Sequence, residues 1–260
     1  MECINLISLQ ALYTNRIFLF TLFRYLVYVL LFARGILLAN FLGPYLFGTF
    51  GFFNMFIQYL VICSLGLQYA ITVQISTGSN LTSEGRQQYI SSALFMTFSI
   101  SLLLSMVGFA IYLFDVPLFD KYNFNRYSII IGLNGGLSLI MQVLINTHRA
   151  YGSLAKIVAA ELSTSIIMLI VIFAFKGDSL LPAALTGITV CGIISIAILL
   201  LHAPFNMTLL IDLHSAKRLL QIGIPLLIFN VSFILMALSA QSVVSYYYPC
   251  LLYTSPSPRD

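Results

Sequence analysis

Arg24 and Arg34 both stand inside an apolar run, residues 17–40, that contains no acidic residue. As a helix rising about 1.5 Å per residue, the run is roughly 36 Å long, enough to cross a bilayer with some tilt. A guanidinium at the bilayer centre costs on the order of 2.5–3.5 kcal/mol, so such side chains face a protein interior or a water-filled cavity. The pattern points to a cationic cavity able to hold an anion. Ten residues separate the two arginines, placing them about 15 Å apart along the axis and about 80° apart around it. Arg24 lies about 10 Å from one end of the run and can equally snorkel to headgroups. For Arg34 the favoured role is the cavity, against pairing with helix carbonyls or with Asn40.

The other costly groups are amides and one acid. Asn134, Ser138, Gln142 and Asn146 recur at i+4 and draw a narrow polar ridge on an apolar helix. Asn54, Gln58, Gln68 and Thr72 fall within an 80° sector of a single helical wheel, although Val61 and Leu65 interrupt the stripe. Asn230 adds a further amide near the end of the chain. Such amides either join helices to one another or line a cavity, where they exchange hydrogen bonds with a ligand's hydroxyls. Glu161 has three readings: a partner for Arg24 or Arg34, a carrier of a coupling proton, or a carboxylate made favourable by a helix N-terminus and nearby Lys156. The last is favoured.

Chemistry of other kinds is missing. There is no GxxxxGK[ST] phosphate loop, GxSxG elbow, HExxH motif or pair of carboxylates at the end of an apolar run. An enzyme is not expected, nor a cofactor. Cys3, Cys63, Cys191 and Cys250 form no CxxC pattern or disulfide framework. His148, His202 and His214 fall in expected loops without partners at ligand spacing, so no metal site is expected. A net charge of +4, spread in ones and twos between apolar runs, excludes nucleic acid as a partner.

The elements that must position these residues follow from composition. The chain is 60% hydrophobic and only 8% charged, with mean hydropathy +1.00, against about 25% charge in soluble domains. The expected fold class is therefore all-α, a polytopic membrane protein. Seven spans are expected, at 17–40, 46–75, 89–114, 127–146, 157–175, 181–201 and 218–248, after a short, mildly polar lead. Gly43-Pro44 ends the first helix and permits an immediate restart, making the first two spans antiparallel neighbours. Pro225 is expected to bend or loosen the seventh. Residues 250–260 (CLLYTSPSPRD) read as a translated sequencing adapter rather than a genuine Ser/Pro-rich tail, which would make the chain an N-terminal fragment cut near Pro249. Arg16, Arg86, Arg149, Lys156, Lys217 and Arg218 on one side outnumber Lys121, Arg126 and Lys176 on the other, so a cytoplasmic N-terminus is expected. The sequons at Asn80 and Asn206 then face the cytoplasm.

Several segments taken together resemble a known family: Ala33-Arg34 through Leu42-Gly43-Pro44 to Phe47-Gly48-Thr49-Phe50-Gly51, Ser64-Leu65-Gly66-Leu67, Asn146-Thr147-His148-Arg149-Ala150-Tyr151-Gly152 and Gln221-Ile222-Gly223-Ile224-Pro225. In order and spacing they are similar to polysaccharide-biosynthesis flippases, the O-antigen and capsule repeat-unit exporters of the multidrug/oligosaccharidyl-lipid/polysaccharide superfamily. The resemblance implies two six-helix lobes around a cavity that opens alternately to each side of the bacterial cytoplasmic (inner) membrane. Residues 1–201 would be the six-helix N-terminal lobe, 202–217 an inter-lobe loop, and 218–249 the first helix of the second lobe. It further implies a lipid-diphosphate-linked oligosaccharide as substrate, with membrane lipids and polysaccharide-assembly proteins as partners. Arg34, nine residues before Gly43, corresponds to a cavity arginine of the related peptidoglycan-precursor flippases. Arg24 has no such counterpart. The alternative is a multidrug or other small-molecule cation antiporter on the same fold, against which stands the absence of any acid in the first span. A membrane polysaccharide polymerase or ligase would require a large outer loop, and the longest here is about a dozen residues.

Overall fold

The computed structural model describes residues 2–77, 82–115, 122–201, 203, 205 and 212–247. His202, Lys121, the asparagines of both sequons and the proposed adapter tail lie outside them. Every regular element among the described residues is helical: α1 (Glu2–Val61), α2 (Leu67–Thr77), α3 (Ser83–Leu113), α4 (Phe124–Ala150), α5 (Leu154–Ala174), α6 (Leu180–Leu200) and α7 (Leu213–Tyr247), with short 3₁₀ turns at Ile62–Ser64 and Gly177–Ser179. Six helical segments are long and apolar enough to cross a membrane. The chain is an all-α polytopic membrane protein.

The first of these segments, Phe18–Ser64, is 47 residues long, about 70 Å if straight and so roughly twice the hydrocarbon thickness. It breaks at Gly43, whose φ of 67° and ψ of 171° belong to a region essentially reserved for glycine. Pro44 follows, and because it carries no N–H, the restarted helix has one fewer orphan donor to satisfy. Contacts on either side fix the direction of each arm. Arg24 meets Glu161 and Phe41 meets Phe173, so the first arm runs parallel to α5. Phe53 and Phe56 pack on Phe124, and Leu60 covers Gly135, so the second arm runs parallel to α4. Thr164 and Ala160 of α5 accept bonds from Cys191 and Ser195 of α6, which makes those two helices antiparallel. Asn134 and His148 of α4 reach Leu185 and Leu199 of α6, which makes that pair parallel. The two arms of α1 are therefore antiparallel, in agreement with the reading of Gly43-Pro44.

Helix α3 lies antiparallel to α4 at near-backbone contact. A Cβ built on Gly108 would stand 2.6 Å from the Ser128 carbonyl oxygen, and one on Gly132 2.8 Å from that of Leu104. Helix α7 lies antiparallel to the second arm of α1 and to α2, with Ser242 bonded to Tyr59 at one end and Gly223 against Gly66 at the other. Two apolar cores result. One, near the Gly43 turn, contains Leu38, Phe53, Phe124, Leu181 and the stacked pair Phe52–Tyr122. The other, at the opposite end, contains Ile71, Ile90, Leu144, Leu199 and Leu219.

Several expectations need correction. The lead before residue 17 is helical from Glu2. The second span is not one helix: after the 3₁₀ turn, Leu65 (φ 52°) and Gly66 (φ 72°) are both left-handed before α2 begins. Consequently Gln68 and Thr72 share no helical wheel with Asn54 and Gln58. The expected loop 147–156 is mostly helix, with only Tyr151-Gly152-Ser153 between α4 and α5. His148 is fully buried in α4, and His214 lies in the first turn of α7. That helix starts earlier than expected because Asp212 caps it. The Asp212 carboxylate accepts from the Ser215 hydroxyl and from the backbone N–H groups of His214 and Ser215, which holds its pKa below the ordinary value. Helix α7 continues through Pro225.

Gly43 and Gly66 both have positive φ but different surroundings. No atom lies near a Cβ placed on Gly43, whereas one placed on Gly66 collides with the Gly223 carbonyl. Gly43→Ala should therefore cost about 1–3 kcal/mol from backbone strain alone. Gly66→Ala should cost clearly more, because α7 must also move. Thermal melts of the detergent-solubilised protein check the order, and an equal loss in both variants would contradict the α2–α7 contact.

Candidate functional site

The first arm of α1 lays its arginines along the side that meets α5 and α6. Arg24 Nη1 donates to both carboxylate oxygens of Glu161, at 2.8 and 2.9 Å. Its guanidinium carbon lies 5.7 Å from the centroid of the Tyr28 ring, and Nε reaches the Tyr28 hydroxyl at 3.4 Å. The i+4 spacing of Arg24 and Tyr28 on one helix makes that contact local. Side-chain exposure of the ion pair is 26% and 18%, low enough that solvent screens it less than a surface pair. Of the three readings of Glu161, the structure realises the partnership with Arg24, 137 residues away in sequence. The favoured reading, a carboxylate serving Lys156 and the start of α5, gives way. Lys156 Nζ instead donates to the Leu201 carbonyl beyond α6.

Arg34 differs. It is half-buried, and among the described residues it makes no hydrogen bond or ion pair; neither Asn40 nor a helix carbonyl takes it up. The Cys191 thiol of α6 is within its electrostatic reach. A cation withdrawn from water without a counter-charge is costly, and here the cost falls on the arm of α1 nearest its turn.

The amides divide by partner. Asn134, 1% exposed, donates to the Leu185 carbonyl and accepts from the Thr189 hydroxyl, joining α4 to α6. Asn54, Asn146 and Asn230 each donate to the carbonyl four residues back on their own helix. Asn146 also accepts from Arg149 at 3.4 Å. Gln142 is half-buried and Gln58 exposed. Gln68 is buried, and among the described residues its Oε1 has no hydrogen-bond partner. The candidates thus do not converge on one point. Arg24, Glu161 and Asn146 gather at one end of the bundle, while Arg34 stands nearer the Gly43 turn.

Sequence reasoning missed four participants: Arg149, Thr189, Cys191 and Tyr28. Arg149, counted only for topology, joins Arg24, Phe20, Thr21, Tyr25 and Tyr28 around an open cleft of about 390 Å³. Thr189 completes the bonding of Asn134, and Cys191 lies within electrostatic reach of Arg34. Only Tyr28 carried a usable signal, its i+4 spacing from Arg24. Among the described residues, no group of three His, Cys, Asp or Glu side chains converges as a metal site would require. The groups that do converge are two cations, Arg24 and Arg149, with the single carboxylate Glu161 and the Tyr28 hydroxyl. No family model, characterised protein or solved structure matches the chain.

Breaking the buried pair on one side leaves the other charge stranded, so Arg24→Ala and Glu161→Ala should each destabilise the protein. The double variant should lose less than the sum. A double-mutant cycle in melting free energy is expected to give a coupling of about 1–3 kcal/mol; additive losses would mean that the two side chains do not meet.

Proposed function

We propose that the chain is part of a flippase that moves a lipid-diphosphate-linked oligosaccharide across the bacterial cytoplasmic membrane by alternating access, with its N-terminus in the cytoplasm, for surface-polysaccharide assembly. The observation that carries the proposal is Arg34, a half-buried cation in a membrane-length arm, without a described anionic partner. A passing diphosphate supplies that missing charge and takes a guanidinium's parallel donors well. The apolar run 17–40 carries cations and no acid, which opposes a cationic drug as cargo. Exposed Gln58 and half-buried Gln142 are amides that can exchange bonds with sugar hydroxyls as the lobes rock.

Arg34→Ala in the complete gene should lower surface polysaccharide about tenfold or more, the equivalent of losing one charge-assisted hydrogen bond, at unchanged protein level. Arg34→Lys should restore part of it. Undiminished polysaccharide in Arg34→Ala would refute this role. Drug resistance from the complete gene without any change in glycan would select the antiporter instead.

A further inference from the structure

The Arg149 cleft stands apart from Arg34 and raises a separate question. It lies at the end of the spanning helices: Arg149 is the second-last residue of α4, and Arg24 lies six residues into the apolar segment that starts at Phe18. Arg149 is thus at the headgroup end of α4, and Arg24, about 9 Å inside its segment, is within snorkelling reach of the headgroups. Its lining is two guanidinium groups, the exposed rings of Tyr25 and Tyr28, the Thr21 side chain and Phe20.

Most of the donor capacity of the two arginines is unspent. Arg24 uses Nη1 on Glu161 and Nε on Tyr28, and Arg149 uses Nη1 on Asn146. Among the described residues, these are the hydrogen bonds that their guanidinium groups make. Charge is unbalanced in the same sense. Glu161 neutralises Arg24 and also feels Arg149 electrostatically, so one carboxylate faces two cations. The cluster has one positive charge in excess, at a depth where a bilayer presents phosphates.

We propose that this cleft is a binding site for the phosphate of a lipid, with Arg149 as its principal cation and Glu161 as the internal anion that competes for Arg24. A singly charged phosphodiester balances the excess charge while the Arg24–Glu161 pair stays closed. A diphosphate carries more charge than Arg149 alone offsets, so it must draw Arg24 away from Glu161 and thereby loosen the ion pair between α1 and α5. Phosphate suits the site because guanidinium forks bind its oxygens in parallel pairs, and basic pockets between membrane helices hold anionic headgroups. The assignment does not depend on the transport reading, since it uses neither Arg34 nor a cavity open to both sides.

Native mass spectrometry of the full chain in detergent tests it with three probes: phosphatidylglycerol, phosphatidylcholine and decaprenyl diphosphate. Phosphatidylglycerol should be retained in preference to phosphatidylcholine, whose headgroup cation cancels its phosphate. Arg149 is exposed, so Arg149→Gln should keep the melting temperature while weakening both anionic lipids about tenfold, a charge-assisted bond's worth. Glu161→Gln, which removes the competitor, should strengthen decaprenyl diphosphate several-fold more than phosphatidylglycerol. Retention of decaprenyl diphosphate alone would identify the bound lipid as a polyprenyl diphosphate at the same phosphate site. Retention of phosphatidylcholine equal to that of both anionic lipids, or anionic binding unchanged in Arg149→Gln, would overturn the site. Weaker decaprenyl diphosphate binding in Glu161→Gln would overturn the competition. If these bindings fail while Arg34→Ala still abolishes polysaccharide, the cleft assignment alone falls. If they hold while Arg34→Ala is silent, the transport reading alone falls.

Discussion

Hydrocarbon offers no hydrogen bonds, so each backbone group that leaves a helix inside the membrane must find a partner within the protein. Both interruptions of this chain obey that constraint, by different means. At Gly43 the following residue is Pro44, which has no N–H to satisfy, and the break sits in open space at a turn between arms. At Leu65-Gly66 the break is internal, and both backbone groups of Gly66 find partners. The Ser64 hydroxyl accepts from the Gly66 N–H, and the Gly66 carbonyl accepts from Tyr69 and Ala70. Gly223 of α7 then closes over the kink at backbone contact. The position of α7 depends on this closure, because any side chain at Gly66 would hold the two elements apart.

Side chains follow the same rule. The C-terminal carbonyls of α6 lie beyond the reach of their own ladder, and two basic residues from neighbouring elements take them up: His148 Nε2 donates to the Leu199 carbonyl at 2.7 Å and Lys156 Nζ to that of Leu201 at 3.2 Å. A histidine without ligand partners thus becomes a cap, and the lysine becomes a cation at the negative end of a helix dipole. The fold spends Glu161, the acid of α5, on Arg24. Arg34, on the same arm, receives no carboxylate from the described residues. That asymmetry distinguishes two arginines on one arm more sharply than their depth does.

Hydropathy made the fold class, the antiparallel turn at Gly43-Pro44 and most of the spans legible, because a span's length and polarity are properties of contiguous residues. What escaped depends on distant packing. Leu65 carries no propensity for the left-handed region, and only the Gly66 beside it hints at the kink. A wheel drawn from Asn54 to Thr72 assumes a continuous 100° step, and the break resets the phase. The choice of Glu161 for Arg24 over Lys156 is made by the packing of α1 on α5. Short spacing along one helix favoured the wrong partner, since Lys156 had a carbonyl of its own to serve beyond α6.

The i+4 row of α4 shows what periodicity can and cannot tell. Asn134 and Asn146 occupy one ridge, yet the first is sealed between α4 and α6 while the second bonds its own helix and touches Arg149 at the cleft. Regular spacing fixes the face on which a polar group lies; the neighbour opposite that face changes along the helix. At Asn134 the opposing surface is α6, whose Thr189 hydroxyl and Leu185 carbonyl engage both ends of the amide, and at 1% exposure it is closed to a ligand. Near the end of the helix, α6 still meets His148, but Asn146 bonds its own helix and stands beside an exposed guanidinium. One ridge therefore has two kinds of neighbour: α6 against Asn134 in the middle of the bundle, and its own helix with Arg149 beside Asn146 at the rim.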